Sequence, residues 1–207
     1  MGRKLKDIFT GYQVGVIMPR IQVKTSYATD SGDTEVARVL NPRAIRGGRV
    51  VYELIEETYI KKGSAEGKLA QPGDIVMKLT TPYECALITE SDAGLLVPSY
   101  CIILRGVNGT IADPNFVIGY LSTDLVRADL SRFTASTTNA MLRPKDIMDL
   151  DFPDIPLAQQ EILGRLYYHS REKQQVLRDM ADTEEKIMQG LITNAVVEVT
   201  GDGEHGE

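Results

Sequence analysis

The chain has 207 residues, 43% of them hydrophobic, and a formal net charge of −6, enough for one sizeable core of about 150 residues plus a further element. No apolar run approaches ~18 residues, which excludes a transmembrane helix, and the net negative charge argues against a generic nucleic-acid coat protein. Cys85 and Cys101 sit in apolar company and read as buried, reduced thiols rather than a disulfide or a metal pair. His169 and His205 are the two histidines. They lie far apart in the chain, so neither a His-based triad nor a His-rich metal site is expected.

The charge is unevenly spread. Residues 1–78 hold 13 Lys/Arg against 9 Asp/Glu, whereas residues 79–157 and 158–207 each hold 5 against 10. A basic half beside acidic surroundings permits a focused DNA face without demanding one. The start, M-G-R-K-L-K-D-I, lacks a signal-peptide hydrophobic region. Arg3-Lys4 leading into an apolar strand pattern fits an ordinary cytosolic terminus better than a myristoylated Gly2, so a cytoplasmic location is expected.

In chain order, residues 5–24 read as strand, a turn at Gly11 and further strand. Residues 25–34 form a polar loop. Val36–Leu40 is a short strand, Arg43, Arg46 and Arg49 gather around Gly47-Gly48, and Val50–Ile60 alternates as an extended segment, with Glu53, Glu56 and Glu57 leaving a helix open. Residues 61–67 form a charged turn. Pro72-Gly73-Asp74 is a turn before an apolar strand at Ile75–Leu79, and Thr80–Glu84 a turn before Cys85–Thr89. Leu95–Val97 and Tyr100–Arg105 add strand segments. Regularly spaced strands with turn signals suggest a twisted, barrel-like sheet.

The pattern then turns helical. Asp113 and Pro114 supply an N-cap and a first helical residue, and the helix is expected to end near Arg132. Phe133 to Asn139 is a hydroxyl-rich loop, Met141–Arg143 is extended, and Pro144–Ile147 is a turn or short helix. Pro153 and Pro156 stiffen the entry to a long helix that starts at or just after Pro156. Along it Ile162, Leu166, His169, Lys173, Val176, Met180, Thr183, Ile187 and Leu191 alternate spacings of four and three. That is a heptad seam with polar members in the middle. At ~1.5 Å per residue such a helix is on the order of 50 Å long, suited to a spacer that pairs with another helix. The Gly-rich, acidic end, residues 197–207, is expected to be a disordered tail.

No catalytic constellation stands out. Asp113-Pro114-Asn115-Phe116 is similar to the Asn/Asp-Pro-Pro-aromatic motif of adenine methyltransferases. The second proline is missing and no Gly-rich cofactor loop appears, so a helix start is the better reading. The glycines around 47–48 and 106–109 form no phosphate loop. Asp149, Asp151 and Asp154 read as solvated turn carboxylates rather than metal ligands. Two loops have recognition chemistry: Lys78, Thr80, Thr81 and Tyr83 on one, and Arg132, Thr134, Ser136, Thr137, Thr138 and Asn139 on the other. Lys and Arg bond phosphates or guanine edges, Asn can read adenine, and hydroxyls reach either. Arg43, Arg46 and Arg49 are candidate phosphate contacts on charge alone. Taken alone, each group reads first as a solvated polar surface.

The order of these pieces resembles one half of the DNA-specificity subunit of type I restriction-modification enzymes. The matching marks are L-K-D-I-F-T-G-Y, P-G-D-I-V-M-K-L, P-N-F-V-I-G-Y-L-S-T-D-L, T-A-S-T-T-N and I-M-D-L-D-F-P-D-I-P-L-A-Q-Q-E-I-L. Together they span residues 5–192, loose singly and fairly specific in order and spacing. Leu157 stands where the family usually has a second proline, and Gln159 where it usually has Glu. The resemblance implies an α+β fold: a β-rich target recognition domain at 1–155, then one long helix at 156–196. That helix forms an antiparallel coiled coil in a homodimer through Ile162, Leu166, His169, Lys173, Val176, Met180, Ile187 and Leu191. It implies a non-catalytic chain that binds double-stranded DNA at a bipartite site. Half-sites roughly one and a half turns apart follow from a spacer of ~50 Å against ~34 Å per turn. It also implies docking with a modification (methyltransferase) subunit and a restriction subunit, with S-adenosylmethionine, ATP and Mg on those partners and no cofactor in this chain. Two other readings stay open: a stand-alone DNA-binding regulator, and a ligand-binding barrel with a dimerisation helix.

Overall fold

The structure is a computed structural model that describes residues 2–24, 32–135 and 141–201. It has mixed α/β architecture with a long C-terminal helix, as expected. The chain divides into two compact units, Met1–Tyr168 and His169–Glu207.

The centre of the first unit is a four-stranded antiparallel sheet in the order β2-β9-β7-β8, built from β2 (Phe9–Val14), β7 (Ile75–Lys78), β8 (Cys85–Leu87) and β9 (Cys101–Val107). Strand alternation explains why its central strands are apolar throughout. Ile75, Met77, Ile102 and Leu104 point into one core with Phe116, Val117 and Leu121. Val76, Cys101 and Ile103 point into a second core with Leu40, Ile45 and Leu95. A sheet buried on both faces needs continuous apolar runs rather than alternating ones.

Three two-stranded ribbons surround this sheet: β1 (Arg3–Lys4) with β10 (Asp151–Phe152), β3 (Thr34–Val39) with β6 (Glu56–Lys61), and β4 (Ile45–Arg46) with β5 (Arg49–Val50). Isolated bridges join Val16 to Pro98 and Val39 to Leu96, and Gly48 in the β4–β5 turn bridges to Ala86 of the sheet. Inside the unit, Asp74 is buried and holds Arg105 through Nη2 at 2.9 Å and Nε at 3.1 Å. This carboxylate raises the guanidinium pKa above its ordinary value.

Several local expectations are corrected. Gly11 lies inside β2, paired with Arg105, rather than in a turn. Residues 18–21 form a short helix, α1 (Met18–Ile21), because Pro19 lacks the N–H that a strand ladder needs. Tyr52–Leu54 is a 3-10 turn that interrupts the extended run before β6. Leu95–Val97 is not a ladder strand; Leu96 makes single bridges to Val39 and Leu69. The expected helix from Asp113 to Arg132 is two helices, α2 (Pro114–Leu121) and α3 (Asp124–Ala135). The break falls at Ser122-Thr123, where the Thr123 hydroxyl donates to Tyr120 O (2.7 Å) and accepts from Val126 N (3.4 Å), competing with the helix ladder. Phe133 and Thr134, expected in a loop, belong to the last turn of α3. The N-cap is as read: the Asp113 carboxylate accepts from Phe116 N at 2.8 Å.

Pro144–Met148 is the short helix α4, and Leu157–Gly201 is the long helix α5. α5 starts directly after Pro156 and continues past the expected end at 196; residues 202–207 of the expected tail lie outside the described residues. Among the described residues no helix is long and apolar enough to cross a membrane, and no cluster of potential metal ligands occurs.

Cys85 and Cys101 are buried and not joined in a disulfide. Burial pushes the Cys101 thiol up to about 12, against the opposing field of Lys78. A thiol reagent at pH 8 is therefore expected to label neither cysteine in the folded protein and both after denaturation. Rapid labelling of the native chain would contradict this core.

Candidate nucleic-acid interface

The β7–β8 connection carries the first candidate loop. Lys78 is buried, and its ammonium meets Glu84 Oε2 at 2.7 Å. Its backbone N–H also donates to Glu84 O, at 2.8 Å. The Lys78 ammonium therefore staples the hairpin instead of facing solvent. Tyr83 adopts a left-handed backbone (φ 55°) and is only 2% exposed. Its hydroxyl shares a 2.9 Å hydrogen bond with Thr134 Oγ1 on α3. Leu142 N donates to Leu79 O at 2.8 Å. The two loops singled out in the sequence are thus joined, with Tyr83 and Thr134 as the link. Thr81 is exposed and Thr80 half-buried beside them. Arg132 is 79% exposed in its side chain and rests on Asp129 at 2.7 Å, one turn back. Ser136, Thr137, Thr138 and Asn139 lie outside the described residues.

The arginine cluster forms a separate feature. Gly47 (φ 59°) and Gly48 (φ 86°) are both left-handed, the requirement of a tight two-residue hairpin turn. The turn sets Arg46 directly opposite Arg49 in the β4–β5 pair. Like charges in register repel unless an anion lies near. Arg43, Arg46 and Arg49 are all exposed, and no ion pair among the described residues engages them. Arg43 projects from a 3-10 turn, Pro42–Ala44, whose N-cap Asn41 accepts from Arg43 N at 3.1 Å. The same Arg43 lines a groove of about 450 Å³ with Gln22, Asn41, Thr58, Pro98 and Tyr100. Gln22 and Tyr100 were not singled out in the sequence. Tyr100, expected in the strand segment Tyr100–Arg105, lies just before β9 and is 56% exposed.

The foot of α5, within the first unit, is fastened by one helical face. Gln160 is fully buried. Its Oε1 accepts from Asp113 N (3.2 Å), and its Nε2 donates to Ile111 O (3.1 Å) and Ile155 O (2.7 Å). One turn on, a Cβ at Gly164 would collide with the Asp113 carboxylate and lie 2.8 Å from Phe116 N. Tyr167 then bonds Ser122 Oγ at 2.9 Å. The spacing 160, 164, 167 is the inward stripe that faces α2.

The expected seam residues are exposed. Ile162 and Leu166 are 51% and 62% exposed in the first unit, and Val176, Met180, Ile187 and Leu191 are 57–63% exposed in the second. His169 and Lys173 are also exposed, and His169 Nδ1 lies 3.2 Å from Glu172. Thr183 donates to Asp179 O at 2.6 Å. A second exposed stripe runs one residue further on: Leu177, Met188, Ile192 and Val197 in the second unit. Offset by about 100° from the first, it makes the apolar surface wider than the two positions per heptad of a simple two-stranded seam.

A mixed α/β unit followed by one long helix is an arrangement that solved structures share. The HsdS subunit from Thermoanaerobacter tengcongensis matches with a TM-score of 0.61 and 16% identity, over 96% of this chain and 49% of that one. A chain from work on complex assembly and conformational transition of the type I R-M system matches with a TM-score of 0.61 and 18% identity, over the same shares. The chain has the fold of these proteins and spans about half their length. No protein-family model and no curated protein match the sequence.

Proposed function

We propose that this chain is a half-length DNA-recognition subunit of a type I restriction-modification assembly. The first unit reads bases, the apolar seam of α5 pairs with the same seam of a second copy, and the second stripe docks helices of a methyltransferase subunit. The observation that carries this reading is a fold likeness over 96% of this chain but 49% of its neighbours, combined with an exposed apolar seam along α5. A subunit with two recognition domains can pair its own two spacer helices. The seam left exposed along α5 is satisfied by the same seam of a second copy, giving twofold symmetry. The chain itself has no catalytic role in this reading; the chemistry belongs to partner subunits.

Arg132, Thr80 and Thr81 are the accessible members of the joined loops and are assigned to DNA contact. Lys78 and Tyr83 hold those loops in place. Arg43, Arg46 and Arg49 are assigned to phosphates, which give affinity and salt dependence rather than sequence preference. The test is selection from random duplex DNA by the full-length protein, with and without a co-expressed methyltransferase subunit. The expected product is a bipartite, inverted-repeat sequence. Arg132→Ala should then weaken binding to that duplex by about 1–3 kcal/mol. Unchanged affinity would remove Arg132 from the site, and enrichment of no sequence would remove the function.

A further inference from the structure

We infer that the groove between α1, the Pro42–Ala44 turn and Tyr100 reads one adenine-containing base pair in each half-site, with Gln22 as the residue that determines this preference. The inference rests on the proposed DNA-recognition function and locates part of its specificity.

Gln22 Nε2 spends one proton on Thr58 Oγ1 at 2.9 Å. Its other amide proton and its carbonyl oxygen remain for the groove it lines. A donor and an acceptor side by side match the N6 and N7 edge of adenine, the usual partner of Gln or Asn in the major groove. The floor is apolar, with Pro98 and Val39 buried. Such a surface suits the methyl group of the paired thymine.

The groove is also preorganised. Val23 N donates to Tyr59 O (2.8 Å), and Gln22 bridges to Ile60, so the end of α1 is stitched to β6. Ser99 N donates to Val16 O (2.7 Å), fixing the opposite wall. Held in place, these walls lose little freedom when a ligand binds.

Two features select duplex DNA as the occupant over a small molecule. Arg43 stands on the rim in the basic half of the chain, and no ion pair among the described residues engages it, while the Glu56 carboxylate in the same lining accepts from Asn41 Nδ2 at 3.1 Å. The wall of the groove is also tied to the first candidate loop, since Leu79 N donates to Tyr100 O at 2.9 Å. A phosphate contact beside a base-reading amide is the usual division of labour at a DNA interface.

The experiment repeats the random-duplex selection with Gln22→Ala, Gln22→Glu and Tyr100→Ala in the full-length protein. Gln22→Ala is expected to lower the adenine preference at one position of each half-site about tenfold, with the other positions kept. Gln22→Glu should move that position toward cytosine, whose exocyclic amine donates to a carboxylate. Tyr100→Ala should weaken discrimination at the same position. The salt dependence of binding should stay at the wild-type slope in Gln22→Ala and Tyr100→Ala, because neither changes a charge or removes a phosphate contact. A specificity change cannot come from simple loss of folding. If the wild type enriches a sequence and both Gln22 variants enrich the identical one, the groove assignment is overturned while the DNA-recognition function stands. If the wild type enriches none, both fall.

Discussion

Val176→Glu combined with Met180→Glu is expected to convert a dimer into a monomer in light scattering at micromolar concentration, with the first unit still folded. Both side chains are more than half exposed in the single chain, so the substitutions remove nothing from its own core. In a helix pair each side chain would be buried, worth roughly 1.5–3 kcal/mol apiece. Four such losses across two copies come to at least about 6 kcal/mol, a factor of roughly 10⁴ in dissociation constant. Uncompensated carboxylates in an apolar seam add to that cost. The control is Gln189→Glu, on the polar side of the same helix, which should leave the dimer intact. A wild-type chain that is monomeric at tens of micromolar would defeat the pairing outright.

Gln160→Leu is expected to be the most damaging single substitution for stability. Leucine keeps the approximate volume but removes the acceptor for Asp113 N and the donors to Ile111 O and Ile155 O. Each buried backbone group left without a partner costs about 1–3 kcal/mol. Three such groups come to at least about 3 kcal/mol, or a drop in Tm of roughly 10 °C for a chain of this size. Gly164→Ala should act in the same direction, because its Cβ meets the cap of α2 rather than the flexible end of a side chain. A Tm within about 2 °C of wild type for Gln160→Leu would show that the foot of α5 is not fastened as described. The physical content is general. A long helix with an exposed apolar face contributes little to its own docking, so a few buried polar bonds at its start must fasten it.

The helices and the main strands were legible in the sequence because each carries its own signal. Asp113-Pro114 announces a cap and a first turn, and the 3-4 spacing beyond Pro156 announces α5. The breaks were less legible. Ser122-Thr123 splits the helix after Asp113 through a hydroxyl that competes for backbone bonds, a local contest that hydrophobic spacing does not register. Gly11 reads as a turn because glycine often is one, yet its pairing with Arg105 keeps it in a strand. At the candidate site, composition picked out the two polar loops and the arginines. It could not separate residues that hold a loop from residues that face solvent. Lys78 and Arg132 look alike in sequence; one is 7% exposed with Glu84 as its partner and the other lies open.

By itself, then, the sequence determined the kinds of element, their order, the basic and acidic partition, and a helix whose apolar seam asks for a second helix. These follow from periodicity, caps and charge, which act within a few residues along the chain. Tertiary structure alone decided which residues meet across long separations. Tyr83 meets Thr134, Gln160 meets Asp113 and Ile111, and Gln22 shares a groove with Arg43 and Tyr100. Burial and hydrogen-bond closure depend on those distant neighbours. They are what turn a lysine into a staple, a glutamine into an anchor, and a tyrosine into the wall of a groove.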